Sequence, residues 1–401
     1  MPTESRPSLA VDGGTPIRAS LLPYGRQSIG ADDIQAVVEV LQSHWLTTGP
    51  QIGEFEASLA KTVGAPEAVA VSNGTAALHA AMHAIGVGPG DEVIVPTMTF
   101  AASANAVLYQ GGVPVFADVN SDTLLVDPAS VEARLTPRTR AIVAVDYAGQ
   151  PCDYSALRVL ASRHSVALIA DACHAIGGAW RGDSVGTLAD LSCFSFHPVK
   201  HITTGEGGAI CTAKPDLARR MRVFRNHGIT SDHRQRELTG SWFYEMTDLG
   251  YNYRMTDIQA ALGRVQLSKL PNWVARRREI AKLYNRRLAD LPAVKPLTVH
   301  TDASHAYHLY VIALNDNVLR VGRAKVYEAL RAEGIGVNVH YIPVHLHPYY
   351  KARFGTDFGL CPNAESAYER ILSLPMFPDM TDGDVEDVVA AIVKVTAAYA
   401  K

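Results

Sequence analysis

The sequence predicts an α/β protein with a large, mostly parallel sheet followed by a smaller α+β region. The first observation is a regular alternation of short apolar runs with helical patterns, which is typical of a parallel sheet with helices on both faces. The second is the apolar run over residues 166–170, which ends directly in Asp171. Buried parallel strands deliver acids in this way at their carboxyl ends. The third is the length of 401 residues, which is enough for two domains.

The predicted elements begin with an N-terminal arm. Residues up to about 29 are rich in Pro, Gly and Ser and are expected to be extended, with little structure of their own. Apolar residues at helical spacing after Gly30 predict a helix over 31–43. Short apolar runs predict strands at 69–71, 92–96, 114–118, 139–147 and 166–170, and helical spacing between them predicts helices at 76–85, 101–110 and 154–164.

The later elements place the domain boundary. A strand at 207–212 and a helix at 216–225 precede a polar stretch over 231–247, which should be a loop or a strand pair. Thr256 can cap a helix to 270, and residues 271–291 are also helical, with the run Arg277-Arg-Arg as a solvated face. Strands at 308–313 and 336–340 and helices at 323–333 and 382–399 follow. We therefore predict residues 1–270 as the arm and large domain and residues 271–401 as the small domain.

The composition excludes several classes of protein. The chain has 47% hydrophobic and 19% charged residues and a formal net charge of −3, whereas a nucleic-acid binder would show a basic face. No apolar run reaches the length of a membrane span, and the first thirty residues contain no signal-peptide core. The five cysteines are odd in number and include no CxxC pair, as in reduced proteins. We expect a cytoplasmic protein with no nucleic-acid or membrane partner.

Lys200 lies at the centre of the most informative stretch, residues 191–210. Its neighbours are aromatic residues, a proline and glycines, unlike those of a solvated lysine, and such a lysine can lose its proton and attack a carbonyl. An isolated lysine would more often be a surface residue, but here it follows the strand-end acid Asp171. An acid that keeps a pyridine nitrogen protonated and an amine that bonds to an aldehyde carbon are what pyridoxal phosphate (PLP) chemistry needs.

Three further features are ambiguous when read alone. A strand that runs into Ser72-Asn-Gly-Thr75 and then a helix makes an anion site, although most such turns bind nothing. The loop over 45–51 carries an aromatic residue and hydroxyls, so it is either a ligand contact or a packed connection. His345 and His347, separated by one residue, could be interpreted as metal ligands. No carboxylate stands at metal-ligand spacing, however, and we expect no metal site.

A set of motifs in chain order resembles the sugar aminotransferases of the DegT/DnrJ/EryC1/StrS type. The motifs are Leu46-Thr-Thr-Gly, Asp91-Glu-Val-Ile-Val-Pro, Phe194-Ser-Phe-His-Pro-Val-Lys200, Glu206-Gly-Gly, Gly250-Tyr-Asn-Tyr-Arg-Met and His340-Tyr-Ile-Pro-Val-His345. The resemblance implies a PLP-dependent transferase of fold type I, similar to aspartate aminotransferase, that aminates keto groups of nucleotide-linked sugars. Val145-Asp-Tyr-Ala-Gly149 and Ile202-Thr-Thr-Gly-Glu-Gly-Gly208 look most like the branch that aminates C4 of a UDP-linked 4-keto-6-deoxy-N-acetylhexosamine in pseudaminic acid biosynthesis.

The resemblance also implies roles for individual residues. Lys200 would bond to the cofactor and carry protons, and Asp171 would pair with the pyridinium nitrogen. Phe100 would stack on the ring, and His174 would touch its other face or its 3′ oxygen. The cofactor residues implied are Gly74, Thr75, Phe100, Asp171, His174, Ser195, Lys200 and, from the neighbouring subunit, Asn252. The nucleotide-sugar residues implied are Tyr24, His44, Trp45, Leu46, Thr47, Val339, His340, Tyr341 and Ile342. L-glutamate would be the amino donor, and the enzyme would be a homodimer with shared active sites. Without the resemblance, His174 could be a core histidine and Asn252 a turn residue.

Other functions remain to be weighed against this one. A nicotinamide-dependent oxidoreductase would need a GxGxxG turn after the first strand, and a P-loop enzyme would need a Gly-Lys dipeptide; neither is present. Dehydratase relatives replace the lysine by histidine, whereas Lys200 is retained. A non-catalytic regulator with this fold stays open, as do a GDP-linked or dTDP-linked sugar and amination at C3.

Overall fold

Two sheets and a long helix organise the computed structural model, which describes residues 8–401. The first part of the chain contains α1 (Ala31–Leu41), α2 (Pro50–Val63), β1 (Glu67–Val71), α3 (Gly74–Ala84), β2 (Glu92–Pro96), α4 (Ala102–Tyr109), β3 (Val113–Ala117), α5 (Pro128–Glu132), β4 (Thr139–Val145), α6 (Tyr154–His164) and β5 (Ala167–Asp171). The middle part contains β6 (Ala179–Trp180), β7 (Asp183–Ser184), β8 (Leu191–Ser195), β9 (Gly208–Thr212), α7 (Pro215–Phe224), α8 (His233–Thr239) and α9 (Asp257–Leu288). The last part contains β10 (Val294–Pro296), β11 (Ala303–Ser304), β12 (Tyr310–Leu314), α10 (Arg323–Ala332), α11 (Pro348–Phe354), α12 (Pro362–Tyr368), β13 (Ile371–Leu374) and α13 (Asp382–Ala398).

The larger sheet has seven strands in the order β1-β9-β8-β5-β4-β2-β3. Strand β9 is antiparallel to both of its neighbours, and the other neighbouring pairs are parallel. Asp171 is in register with Val145 on β4 and with Cys193 on β8, so it lies at the carboxyl edge of the sheet. This mostly parallel sheet confirms the predicted fold class, and it places the loops after β1, β4, β5 and β8 at one edge.

A second hydrophobic core forms around the three-stranded antiparallel sheet β10-β12-β13. Helices α10 and α13 pack on it, and the N-terminal arm contributes Leu9 and Leu22. The arm is otherwise extended apart from one 3-10 turn at Ala10–Asp12, and residues 1–7 of the predicted arm lie outside the described residues. Helix α9 is continuous and contributes Leu267 to the first core and Ile280 to the second. The domain boundary at residue 270 stays a prediction.

Some local predictions are wrong or incomplete. Helix α2 was not predicted, although Phe55, Leu59 and Val63 recur on its buried face and Gly64 ends it in the left-handed conformation. Helix α8 forms in the stretch expected to be a loop or a strand pair, and a capping box at Asp232 begins it. The predicted strand at 336–340 is wrong, because this segment makes only an isolated bridge to β13 at Asn338. Within residues 8–401, no helix is long and apolar enough to cross a membrane.

Candidate active site

A cavity of about 680 Å³ opens at the carboxyl edge of the seven-stranded sheet. Its walls come from the turn after β1, from the ends of β4, β5 and β8, and from the extended segment around residue 340. Asp171 and Lys200, the predicted acid and amine, both line it. Ligands of open α/β sheets bind at this edge because the loops that follow parallel strands meet there.

Asp171 is the last residue of β5 and is buried. Its Oδ2 accepts a hydrogen bond of 2.6 Å from the hydroxyl of Ser103, in the first turn of α4. The Ser103 hydroxyl is in turn 2.7 Å from Thr99 Oγ1. A longer contact of 3.4 Å joins the amide of Cys173 to Asp171 Oδ1. The carboxylate is therefore fixed by a short, buried, charge-assisted hydrogen bond.

Lys200 lies in a tightly closed loop between β8 and β9. The loop is closed by hydrogen bonds from the Phe196 amide to the Gly207 carbonyl at 2.8 Å and from the Thr204 amide to the Phe196 carbonyl at 3.0 Å. Burial lowers the pKa of Lys200 below its ordinary value, although Cys173 and Asp171 oppose the shift. The amine is thus easier to deprotonate than a surface lysine, as a nucleophilic lysine requires.

The turn between β1 and α3 forms a cradle beside this lysine. Asn73 caps α3 by accepting a hydrogen bond of 2.8 Å from the Ala76 amide. The first amides of a helix have no intrahelical acceptor, so they face the cavity as anion donors. A Cβ on Gly74 would lie 2.8 Å from the Cβ of Ser195, so only glycine allows β8 to approach this turn. Gly74, Thr75 and Ser195 therefore meet at one wall of the cavity.

Imidazoles form another part of the cavity wall. His174 Nε2 is 3.1 Å from the hydroxyl of Tyr341, and its Nδ1 has no hydrogen-bond partner in the described chain. Burial and the neighbouring Lys200 lower the pKa of His174 well below its ordinary value, so the ring is neutral. The ring of His308 lies 4.3 Å from that of His174, centroid to centroid. His340 contacts Ser373 Oγ through Nδ1 at 2.8 Å.

The comparisons with known proteins agree with this geometry. The model of the DegT/DnrJ/EryC1/StrS aminotransferase family matches residues 27–393. The chain belongs to this family. Spore coat polysaccharide biosynthesis protein SpsC of Bacillus subtilis (strain 168) is 43% identical over 377 residues, covering 94% of this chain and 97% of SpsC.

Two solved structures extend the comparison to the fold. Spr1654 from Streptococcus pneumoniae, assigned as a sugar aminotransferase and solved in its PLP form, is 32% identical with a TM-score of 0.88, covering 94% of this chain and 98% of Spr1654. Helicobacter pylori PseC, an aminotransferase involved in the biosynthesis of pseudaminic acid, is 31% identical with a TM-score of 0.88, covering 95% of this chain and 100% of PseC. The protein is a PLP-dependent sugar aminotransferase, and the predicted family, fold type I and cofactor are confirmed.

The cavity of this aminotransferase has the groups that PLP requires. The cofactor combines an aldehyde, a ring nitrogen and a phosphate, and the cavity offers an amine with a lowered pKa at Lys200, a fixed carboxylate at Asp171 and a helix N-terminus at Gly74. The unpartnered Nδ1 of His174 is a further buried polar atom at the same cavity. These residues fit the cofactor that the family uses.

The predicted ligand residues divide into two groups by position. Those that line the cavity are Tyr24, Gly74, Thr75, Phe100, Asp171, His174, Ser195, Lys200, Val339, His340 and Tyr341. Those that do not line it are His44, Trp45, Leu46, Thr47, Asn252 and Ile342. Phe100 is largely exposed at the cavity wall, with its ring 6.1 Å from that of Tyr341. Asn252 is exposed, and the carbonyl of the next residue, Tyr253, accepts a hydrogen bond from the Ser72 amide at 2.8 Å.

Sequence reasoning missed several residues of this aminotransferase site. Ser103 was not singled out, because a serine in a helix beside an apolar strand gives no signal of which carboxylate it contacts. His308 was read only as the start of a strand, yet it lines the cavity. His345, considered as a metal ligand and rejected, lies 2.6 Å from Thr97 Oγ1 and 2.9 Å from Glu365 Oε1. Its two nitrogens therefore hold neighbouring side chains together.

Proposed function

We propose that this enzyme transfers the amino group of L-glutamate to the C4 keto group of a UDP-linked 4-keto-6-deoxy-N-acetylhexosamine. The observation that carries the proposal is the likeness to PseC over nearly the whole of both chains, together with a cavity that groups Lys200 and Asp171. The turn at Tyr147–Gly149, part of the motif resembling the C4 branch, contacts His340, one of the predicted nucleotide-sugar residues. Its Tyr147 hydroxyl donates a hydrogen bond to the carbonyl of His340.

Each residue at the cavity has a chemical task in this proposal. PLP, when bound, supplies the electron sink that allows a proton to leave or join the carbon next to the transferred nitrogen. Lys200 carries that proton, because burial lowers its pKa and makes its amine easier to deprotonate than that of a surface lysine. Asp171, held by Ser103, is placed to keep a ring nitrogen protonated. His174 is held at the cavity wall by the Tyr341 hydroxyl.

A substrate panel tests the proposed acceptor. The holoenzyme is given glutamate and, in separate reactions, UDP-linked, dTDP-linked and GDP-linked keto-sugars with the carbonyl at C3 or at C4, and aminated products are identified by mass. We expect the UDP-linked 4-keto-6-deoxy-N-acetylhexosamine to be turned over fastest and the Lys200→Ala variant to give no product. Faster turnover of a dTDP-linked or GDP-linked sugar, or of a 3-keto sugar, would replace this substrate. Activity of Lys200→Ala within tenfold of the wild type would overturn the assignment of the lysine.

The proposal includes a homodimer in which each subunit completes the site of the other. The segment over residues 238–249 is exposed and carries large apolar side chains, including Trp242 at 85%, Leu238 at 78% and Leu249 at 71% exposure. Several exposed large apolar side chains in one segment are typical of a region covered by a partner. Asn252 follows this segment, is exposed and does not line the cavity of its own chain, as expected if it reaches the cofactor of the partner.

Hybrid dimers test the sharing of sites. A lost hydrogen bond to a charged phosphate is worth roughly 1.5–3 kcal/mol, so Asn252→Ala should weaken PLP retention by about ten- to a hundredfold. Mixing Asn252→Ala chains with Lys200→Ala chains at limiting PLP should restore activity, because one site of each hybrid then carries neither defect. If subunit exchange is demonstrated by mass and no activity returns, Asn252 acts within its own chain.

We also place the enzyme in the cytoplasm. Its five cysteines are free, and four of them are buried. Free thiols support a reducing compartment, because an oxidising one favours disulfides. Assay of a cell fractionation for the amination activity tests this location, and activity recovered mainly outside the cytosolic fraction would contradict it.

A further inference from the structure

Arg277 is the largest fully buried side chain among the described residues, in a run of arginines that the sequence predicted to be solvated. That prediction is wrong for Arg277, which is 0% exposed on α9. Its Nη1 donates hydrogen bonds to three backbone carbonyls, those of Met376 at 2.8 Å, Tyr307 at 3.1 Å and His308 at 3.3 Å. The guanidinium thus joins α9 to the segment after β13 and to the segment before β12.

This buried cation has no carboxylate partner in the described part of the chain. Its Nε and Nη2 are buried and have no hydrogen-bond partner there either. Burial lowers the pKa of Arg277 to about 10, so the side chain stays charged near neutral pH. Burying an unpaired charge is costly. Packing alone does not explain why a charged guanidinium is buried at position 277.

One of the three carbonyls that Arg277 contacts belongs to His308, a residue of the cavity wall. His308 is buried, lines the cavity and packs its ring against His174 at a centroid distance of 4.3 Å and an interplanar angle of 43°. His174 is the imidazole that Tyr341 also contacts. A continuous chain of contacts therefore runs from Arg277 through the backbone of residue 308 to the ring of His174.

A glycine makes this arrangement sterically possible. The turn after β4 passes between the two imidazole-bearing segments, and the Gly149 carbonyl accepts a hydrogen bond from the Ala306 amide at 2.8 Å. Gly149 has a φ of 101°, and a Cβ there would lie 2.7 Å from the His174 carbonyl and 2.8 Å from the His308 amide. The backbones that carry His174 and His308 are thus held together around one turn.

We propose that Arg277 and His308 form a positioning unit for His174: Arg277 fixes the backbone of residue 308, and the His308 ring packs on His174 and keeps it in one orientation at the cofactor cavity. The proposal rests on the contact with the PLP ring or its 3′ oxygen that the family resemblance implies for His174. Arg277 is a positioning residue, since it does not line the cavity. His308 positions His174 through contact between the two rings. The proposal therefore requires the shape of the His308 ring and does not require that this ring be protonated.

The charges around the two rings are consistent with this role. The groups that act on His308 are Lys200, His174, His201 and Arg277, and all of them disfavour its protonation. Burial is the largest cause of its lowered pKa, and the same holds for His174, where Lys200, His340 and His201 add to it. Removal of the Arg277 charge should therefore make His308 easier to protonate.

Matched variants separate shape from charge. His308→Phe keeps a ring that can pack on His174 but cannot titrate, whereas His308→Ala removes the ring. Arg277→Lys keeps the positive charge but has fewer hydrogen-bond donors. Arg277→Met removes both the charge and the donors. The control is His305→Ala, another buried histidine of this segment, whose ring stacks on Tyr307 at 3.9 Å and does not line the cavity.

The readouts are the Kd of PLP for each full-length apoprotein, the visible circular dichroism of the bound cofactor and the thermal midpoint of the apoprotein. We expect His308→Ala to weaken PLP binding by about two- to tenfold, the size of a lost aromatic contact, and to reduce the visible dichroism. His308→Phe should restore most of both. His305→Ala should lower the thermal midpoint without changing either cofactor readout.

The Arg277 variants are followed by NMR of the histidine rings. In protein labelled at histidine, Arg277→Met should raise the pH at which the His308 ring titrates, and Arg277→Lys should leave that pH near the wild-type value while still weakening PLP binding. If Arg277→Met does not fold, Arg277→Lys and the two His308 variants decide the question.

Three results would overturn the proposal: His308→Phe binding PLP as weakly as His308→Ala, unchanged PLP binding in His308→Ala, or unchanged PLP binding in Arg277→Lys. These cofactor measurements do not depend on which sugar is aminated. Failure of the substrate panel and failure of the positioning unit are therefore separate outcomes.

Discussion

Replacement of Ser103 by alanine should expose how much the cofactor depends on a fixed Asp171. The Ser103 hydroxyl is fully buried and donates to Asp171 Oδ2 at 2.6 Å, while the longer contact from the Cys173 amide is 3.4 Å. Ser103→Ala removes the short bond and leaves the long one as the remaining hydrogen bond to this carboxylate from residues 8–401. It also removes the partner of Thr99 Oγ1 at 2.7 Å.

The size of the effect follows from the charge and burial of this bond. Hydrogen bonds to charged groups contribute about 1.5–3 kcal/mol, and the buried position prevents water from replacing the hydroxyl. The proposed contact of Asp171 with the ring nitrogen exists only when PLP is bound, so the loss should appear as weaker PLP binding. We expect the Kd of PLP to rise by about ten- to a hundredfold.

The assay is an equilibrium titration of the apoprotein with PLP, followed by its absorbance. Ser192→Ala is the matched control, because Ser192 lies in the same sheet, is fully buried and has no hydrogen-bond partner for its hydroxyl in the described chain. This control should bind PLP like the wild type. If Ser103→Ala and Ser192→Ala bind PLP equally well, the hydroxyl of Ser103 does not support the carboxylate and the reasoning fails.

Two further predictions concern the stability of the apoprotein. Because burial lowers the pKa of Lys200 from its ordinary 10.5, charging this amine destabilises the folded state below that pH. Lys200→Met should therefore raise the thermal midpoint at neutral pH, with a gain that shrinks as the pH approaches 10.5, and a constant gain across this range would contradict the assignment. Gly149→Ala should lower the midpoint much more than Gly182→Ala, since both glycines have positive φ but only Gly149 would place a Cβ against the His174 carbonyl. Equal losses in a parallel thermal melt would show that backbone strain alone matters.

The parts of the site that the sequence predicted are those whose evidence is local. Asp171 ends an apolar run and Lys200 stands among residues that do not solvate it, so strand periodicity and composition pointed to both. Ser103 contacts a carboxylate 68 residues away, and no local pattern specifies such a partner. The position of Asn252 likewise depends on a contact between distant segments, the hydrogen bond from the Ser72 amide to the Tyr253 carbonyl. Contacts between distant segments depend on the packing of whole elements, which a single sequence does not reveal.

For Arg277, the helical spacing of apolar residues indicated burial, but the charge of the side chain led to the opposite prediction. The buried residues on this stretch of α9 include Leu270, Val274, Arg277, Ala281, Tyr284 and Leu288, at alternating spacings of four and three. This is the repeat of a helix stripe that faces a core, and position 277 lies on it. The identity of the side chain argued for solvent, because unpaired arginines are rarely buried. The fold resolves the conflict by providing three carbonyl acceptors from segments far along the chain. For Arg277, the position on the apolar face of the helix was therefore a better guide to burial than the charge of the side chain.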